Sequence, residues 1–272
     1  MNKILSGQEF PTCKIIGNNY AEDHENKIHS DEVAAQFGFR GGLVPGVGVY
    51  AYLTHLVTEY FGVNWIECGT MTAKFLKPIY HGEEAMVKGD LASDDVMKLE
   101  LFEASGRLCA VGEASLLEIL PTLNLLDYPN HDLPKPAERL PASLANLPVG
   151  KILGSLHWEL SLAEIEAKFL KDVCATLPIF FGDRAVCHPA FYLAQANEML
   201  MANVKLGSWI HTGSTVQHYS LPKNGEWLSM RGKVAEAFER RGHEIVVLDL
   251  GIFGEDERPI AHIKHSAIVR LN

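Results

Sequence analysis

The chain repeats itself. Shifting the first half by 143 positions lays Gly82-Glu83 on Gly225-Glu226 and Gly89 on Gly232, so a glycine, six residues and a glycine recur at the same spacing. The same shift lays Pro45 on His188, and after eight extra residues a shift of 151 lays Arg107 on Arg258, Ala110 on Ala261 and Ser115 on Ser266. Ordered matches along both halves indicate a duplicated unit, present twice rather than as a solenoid array. With 272 residues and 47% apolar side chains, the chain has room for two ordinary cores or one large one. Any fold that suits one half therefore has to suit the other.

Each half runs through the same order of elements. Residues 47–61 are apolar, helical in length and closed by Gly62, and residues 190–206 are closed by Gly207, both glycines suiting the left-handed position past a helix end. Strand-like runs follow at 71–76, 85–89, 96–104 and 108–120, and again at 214–221, 227–237, 244–253 and 260–271. The last run alternates: Ile263, His265, Ala267, Val269 and Leu271 share one face, and His262, Lys264, Ser266 and Arg270 the other. One helix against four strands, twice, is an α+β pattern. The second half also opens with an extra helix, with Ser161 as cap and Glu164 completing a capping box ahead of Ile165, Phe169, Leu170 and Val173. Between Pro121 and Pro148 lie six of the thirteen prolines with no helix or strand period, which reads as a connector. The expected division is 1–120, a linker at 121–150, and 151–272.

Charge narrows the function. Lys and Arg number 24 against 34 Asp and Glu, a net charge of −10, so no basic field gathers nucleic acid or anionic lipid. Residues 1–10 hold no sustained apolar run and the stretch 41–53 is too short and Gly-rich to span a bilayer, so the expectation is a cytoplasmic protein without a membrane partner. The five cysteines lack CxxC spacing and read as reduced, small buried hydrophobes. No Walker loop or GxGxxG offers a nucleotide site. His262 and His265, three apart on a strand, point to opposite faces, and no metal site is expected.

The residues with chemical potential lie ahead of the first long helix. They are Glu25-Asn26-Lys27-Ile28-His29-Ser30-Asp31, then Ala34-Ala35-Gln36-Phe37-Gly38-Phe39, then Leu43-Val44-Pro45-Gly46-Val47. Histidine is the side chain suited to acid/base work near pH 7. Asn26 can hold water or close an Asx-turn. Gly46 can offer its N–H at a helix start, where the partial positive charge favours an oxyanion, and Gly41, Gly42, Gly46 and Gly48 also permit close packing. His188 reads as structural, and Tyr50, Tyr52 and Tyr192 as core residues with satisfied hydroxyls. Glu59 and Glu198 read as solvated or paired carboxylates.

In its N-x-x-H-x-D segment, its A-x-x-x-G-F segment and its Gly-containing helix start, this region resembles the MaoC-like acyl-thioester dehydratases and hydratases of the hotdog superfamily. Two copies in one chain resemble a double hotdog, which implies two long central helices each wrapped by an antiparallel sheet. Residues 209–232 also resemble double-hotdog acyl-CoA thioesterases. The (R)-specific enoyl-CoA hydratases carry an Asp, any residue, Asn, Pro, an aliphatic and His. Here His29 and Asn26 match, while His24 stands at the Asp position and Lys27 at the Pro position. Asp23 is one residue out of register, and Glu25 and Asp31 are the other nearby carboxylates. In the second half Asp172 stands at the position of His29, so no dyad is visible there.

The resemblance thus implies an (R)-specific enoyl-thioester hydratase or 3-hydroxyacyl-thioester dehydratase. His29 would be the acid/base, Asp23 its partner, Asn26 a positioning group, and Gly46 and Val47 the substrate-binding pair. The substrate would be an acyl-CoA or acyl-carrier thioester, with no cofactor. A double-hotdog thioesterase and a catalytically silent acyl-thioester-binding protein are the alternatives. Two hotdogs in one chain supply the usual pairing interface internally, which allows a monomer, while the resemblance implies a homodimer.

Overall fold

The computed structural model describes residues 12–272; residues 1–10, read above for a leader, lie outside the described residues. Ten strands form one antiparallel sheet: β1 (Cys13–Ile16), β2 (Gly69–Phe75), β3 (Glu84–Ser93), β4 (Val96–Glu103), β5 (Leu108–Leu116), β6 (Leu156–Glu159), β7 (Ile210–His218), β8 (Trp227–Arg240), β9 (His243–Phe253) and β10 (Pro259–Arg270). Their spatial order is β1-β3-β4-β5-β2-β7-β10-β9-β8-β6, so each half, read inward from its edge, has the same connectivity. The helices are α1 (Asp31–Gln36), α2 (Gly46–Phe61), α3 (Val63–Cys68), α4 (Leu162–Glu164) and α5 (Pro189–Asn203).

The spacing of the repeat is the spacing of the elements. β1 and β6, α2 and α5, and β3 and β8 each begin 143 residues apart, and β5 and β10 begin 151 apart. Gly82 and Gly225 sit in equivalent turns ahead of β3 and β8 with φ of 75° and 79°, where a side chain would be strained. At the seam β2 pairs with β7, placing Thr72 opposite Thr215, its own equivalent, with their hydroxyls 2.9 Å apart. The molecule therefore has an internal two-fold relation centred on that pair.

The inner face of the sheet is apolar because alternate strand residues are, and α2 and α5 lie against it and against each other. Tyr50, Leu53, Leu56 and Val57 of α2, and Ala190, Leu193, Ala196 and Leu200 of α5, are buried in one continuous core spanning both halves. β10 alternates as expected: Ile263, His265, Ala267 and Val269 are buried, and Lys264 and Arg270 are exposed. No helix among the described residues is long and apolar enough to cross a membrane.

Several expectations are corrected. α5 ends at Asn203, not at 206, and Gly207 does not take a positive φ. Asn203 turns its side chain to Gly154 and Met199, and the chain leaves the helix to bridge Lys205 to Pro141. β5 stops at Leu116, and β7 begins at Ile210 because its pairing with β10 starts there. Ser161 accepts from Glu164 N, but the Glu164 carboxylate pairs with Lys168 instead of closing the box, and α4 runs into a π-helical Ile165–Leu170. The Tyr52 hydroxyl accepts from Asn18 N, whereas that of Tyr50 has no partner among the described residues. All five cysteines are free, and Cys109 and Cys187 are buried while Cys13, Cys68 and Cys174 are half-buried. The Pro-rich segment is packed down: Tyr128 donates to Asp249 at 2.9 Å, and Leu147 is buried.

Candidate active site

A cavity of about 200 Å³ opens where the start of α2 meets the loop before it, the end of β2, the start of β7 and Asn197 of α5. Its walls are mainly apolar, including Ile28, Val44, Val49, Phe75 and Ile210, with His29, Asn26, Asn197, Trp209, His211 and Thr212 as polar groups. A mostly apolar pocket with a few convergent polar groups is the usual form of a small-molecule site. Three of those polar groups hold buried atoms without a partner: Asn197 Oδ1, Trp209 Nε1 and His211 Nδ1. Buried polar atoms are normally paired, so these three are polar atoms of cavity-lining residues with unused hydrogen-bonding capacity among the described residues.

The local sequence fixes His29. Asn26 caps the short 3-10 turn Lys27–His29 through Ile28 N, and Ser30 caps α1 through Val33 N, so the histidine is held between two caps. Gly42 passes so close that an added Cβ would lie 2.0 Å from the His29 carbonyl oxygen, so this glycine is required by packing. His29 Nδ1 lies 2.7 Å from the Leu43 carbonyl, which can only accept; Nδ1 therefore carries the proton and Nε2 offers a lone pair. Asn26 Nδ2 lies 3.4 Å from that Nε2. Burial lowers the His29 pKa below its ordinary range, opposed by the bond to Leu43 and reinforced by His24. A neutral imidazole whose unprotonated nitrogen is held only by this long contact from Asn26, on a cavity-lining residue, can act as a base.

Asn26 does more than cap. Its Oδ1 accepts from Trp209 N at 3.2 Å and its Nδ2 donates to Trp209 O at 3.0 Å, clasping the backbone 183 residues away. That clasp ties the His29 loop to the start of β7, so both halves build one site.

The start of α2 forms the other wall. Pro45 precedes the helix and offers no side-chain acceptor, which leaves the N–H groups of the first turn for a ligand. Gly46 lies against His211 and Phe75: an added Cβ would be 2.8 Å from His211 Nδ1 and 2.9 Å from Phe75 Cε2. Behind His211, its Nε2 lies 2.8 Å from Ser214 Oγ, and Ser214 Oγ lies 3.0 Å from His265 Nδ1. The two rings stack with centroids 4.2 Å apart. Burial, reinforced by His265 and opposed by the Gly213 carbonyl, holds His211 well below the ordinary histidine range, and burial brings His265 down to about 3. Both are neutral near pH 7.

Of the residues expected from sequence, His29, Asn26 and Gly46 line this cavity together. Val47 is buried in the first turn of α2 and does not line it. Asp23 is exposed and makes no contact with His29, and among the described residues His29 has no ion pair. Glu25 is exposed, and Asp31 accepts from Gly42 N at 2.7 Å. Glu59 and Glu198 are exposed and outside the cavity. Sequence reasoning did not find His211, Ser214, Trp209 or Asn197 as site residues. Their joint use follows from strand register and from a clasp between distant segments, neither of which leaves a local pattern.

No protein-family model matches the chain, and no curated protein matches it by sequence. Solved structures do match. A protein described as a MaoC domain dehydratase from Chloroflexus aurantiacus is 9% identical with a TM-score of 0.64, over 99% of this chain and 97% of that one. A Mycobacterium tuberculosis protein with a double hotdog fold is 16% identical with a TM-score of 0.62, over 97% and 96%. A protein described as an oleoyl thioesterase from Lactobacillus plantarum is 7% identical with a TM-score of 0.55, over 95% of each chain. The α+β fold of this chain is the double hotdog, with the arrangement seen in MaoC-like dehydratases.

Proposed function

We propose that the chain is a hydratase or dehydratase of acyl thioesters, working in the cavity beside His29. One observation carries this reading: the unprotonated Nε2 of His29 and the uncapped start of α2 meet in the same cavity. The likeness in fold to MaoC-like dehydratases supports it. In the hydration direction a water takes the place of the long 3.4 Å contact between Asn26 Nδ2 and His29 Nε2, and His29 Nε2 takes a proton from it. The water oxygen bonds to Cβ of the enoyl group, and the electron pair of the double bond moves onto the thioester oxygen. N–H groups of the α2 first turn stabilise that enolate, and the His29 imidazolium, steadied by Leu43 O, returns the proton to Cα. One imidazole serves as base and then acid, and a water has been added across the double bond without an external cofactor. On this reading residues 1–120 and 151–272 are the two hotdog units and 121–150 their connector, and the acyl group is presented on coenzyme A or a carrier arm.

Purified protein is tested with crotonyl-CoA and its saturated analogue butyryl-CoA. Hydration removes the enoyl absorbance, and His29→Ala lowers that rate by roughly 10²–10⁴-fold. Because burial lowers the His29 pKa, the fall in rate on acidification is expected at a lower pH than for an ordinary histidine base. Free thiol from butyryl-CoA would instead indicate hydrolysis. Binding of crotonyl-CoA without turnover would indicate a silent acyl-binding protein, and unchanged hydration in His29→Ala would overturn the site.

A further inference from the structure

We infer that His211 is a catalytic residue of this site: its Nδ1–H and the N–H of Gly46 form a paired donor for the thioester oxygen, with Ser214 and His265 as positioning residues. The inference rests on the acyl-thioester reading above and names a group from the second half for the same chemistry.

The backbone is shaped to deliver His211. Residues three apart on a regular strand face opposite sides, so His211 and Ser214 would not meet on an unbroken β7. The β7–β10 register skips a residue: Ser266 pairs with Gly213 and Ala267 with His211. That bulge, with Gly213 at φ 158° and pressed against Ala73 O, turns His211 to the inner face beside Ser214. β2, the equivalent strand, pairs with β5 in unbroken register. The skipped residue thus distinguishes β7 from its equivalent, β2. His211 is 6% exposed, its Nδ1 has no hydrogen-bond partner among the described residues, and Nδ1 is the atom nearest to where a Gly46 side chain would begin.

The hydrogen-bond chain selects the tautomer. Ser214 lies opposite His265 across the β7–β10 pair and has one proton to share between two rings. If it donated to His265 Nδ1, the His265 proton would sit on Nε2, sealed in the core without an acceptor. If it donates to His211 Nε2, His265 holds its proton on Nδ1 and gives it to Ser214 Oγ, and the ring N–H left without an acceptor among the described residues is the Nδ1–H of His211. Either way one ring N–H lacks a protein acceptor, and only in the second arrangement does it belong to a residue that lines the cavity, where a bound carbonyl can accept it. His211 then carries its proton on Nδ1, beside the α2 terminus, where the helix also favours negative charge. Two donors at the place where the enolate oxygen forms compensate for what a lone His29 lacks.

The test binds crotonyl-CoA labelled with ¹³C at the thioester carbonyl to His29→Ala protein, where turnover does not consume it. The carbonyl infrared band is expected to shift to lower frequency on binding, to lose most of that shift when His211→Leu is added, and to keep most of it with His211→Asn, whose amide N–H overlays Nδ1. With His29 intact, His211→Leu lowers kcat for crotonyl-CoA roughly 10²-fold with a smaller change in KM. A measurement on the unsubstituted protein guards against misfolding of the leucine variant. In ¹⁵N-histidine protein, the ring signals absent from His211→Asn are expected to report a neutral ring protonated at Nδ1, with the Nδ1 signal moving on addition of crotonyl-CoA. A ring protonated at Nε2, or one that does not move, overturns the inference. Bound crotonyl-CoA with the same carbonyl band with and without His211→Leu overturns the role of His211 and leaves the hydratase reading standing; no binding of crotonyl-CoA overturns both.

Discussion

The two halves begin their long helices in opposite ways. In the first half Pro45-Gly46 leaves the first-turn N–H groups uncapped and opens on a cavity of about 200 Å³. In the second, Pro189 stands where Gly46 stands and has no N–H, while His188 Nδ1 accepts from Ala190 N at 3.1 Å and consumes the next donor. Asn26 is replaced by Phe169 and His29 by Asp172, and Phe169 and Phe180 pack on the His188 ring, leaving about 10 Å³. The same fold thus holds one terminus built to bind and one built to be closed. The difference lies in a handful of side chains, not in the backbone plan.

The comparison breaks most sharply at Gly46. Gly46→Pro gives the first helix the start of the second: it removes one donor, and its Cβ meets His211 and Phe75 at under 3 Å. Proline suits the first helical position, and the preceding Pro45 already has the extended ψ of 140° that a following proline prefers. The protein should still fold, with a lowered melting temperature because the His211 and Phe75 rings must shift, and lose roughly 10²–10³-fold in kcat for crotonyl-CoA. A variant that turns over normally would show that the first-turn N–H takes no part.

Next in size is the Asn26 clasp, which the second half replaces with an aromatic plug. Asn26→Ala leaves the buried N–H and C=O of Trp209 without their partners and frees the loop bearing His29. Each unsatisfied group costs about 1–3 kcal/mol, so the expected loss in stability is about 2–6 kcal/mol, read from the urea midpoint. A loss below about 1 kcal/mol would mean that water replaces the amide and that the clasp does not join the halves.

How much of this was legible depended on whether the signal was local. Glycine spacing revealed the repeat because turns ahead of β3 and β8 need positive φ, and only glycine supplies it cheaply. Asn26, His29 and Gly46 were visible as a short motif at a helix start. The displacement of the carboxylate was visible too, since His24 occupies its place. The His211–Ser214–His265 chain was not visible, because a bulge reverses the facing that alternation predicts for His211. The end of α5 was misplaced for a similar reason: Asn203 stops the helix through contacts with Gly154, 49 residues earlier.

The closed terminus makes its own prediction. His188 stays neutral in the folded protein down to about pH 3, because burial opposes its charge and His55 adds to that, whereas the unfolded chain takes up the proton near 6.5. Between those values the unfolded state binds more protons, so the stability is complete above pH 6.5 and declines as pH falls towards 3. One such group contributes about 1.4 kcal/mol per pH unit in that window. His188→Asn keeps a side-chain cap and removes the titration, so the dependence of the urea midpoint on pH should become shallower by that amount. His218 and His265, also brought to about 3 by burial, keep the remainder. An unchanged slope would mean that the unfolded chain does not protonate this residue normally.

The seam offers the smallest effect and the cleanest control, since here the two halves contribute the same residue. Thr72→Val removes one of two half-buried hydroxyls at 2.9 Å without changing side-chain shape, and should cost about 1 kcal/mol. The same change at Thr215 should cost the same, because the pair sits on the internal two-fold relation. The double variant should recover part of the loss, since no hydroxyl is then left facing an apolar partner and both valines suit a strand. A double-mutant cycle on the urea midpoints measures this coupling. Equal single losses with a favourable coupling would locate the division of labour at the helix starts, with the seam symmetric. Unequal losses would show that the asymmetry begins at the junction itself, and that the bulge in β7 is felt as far as Thr215.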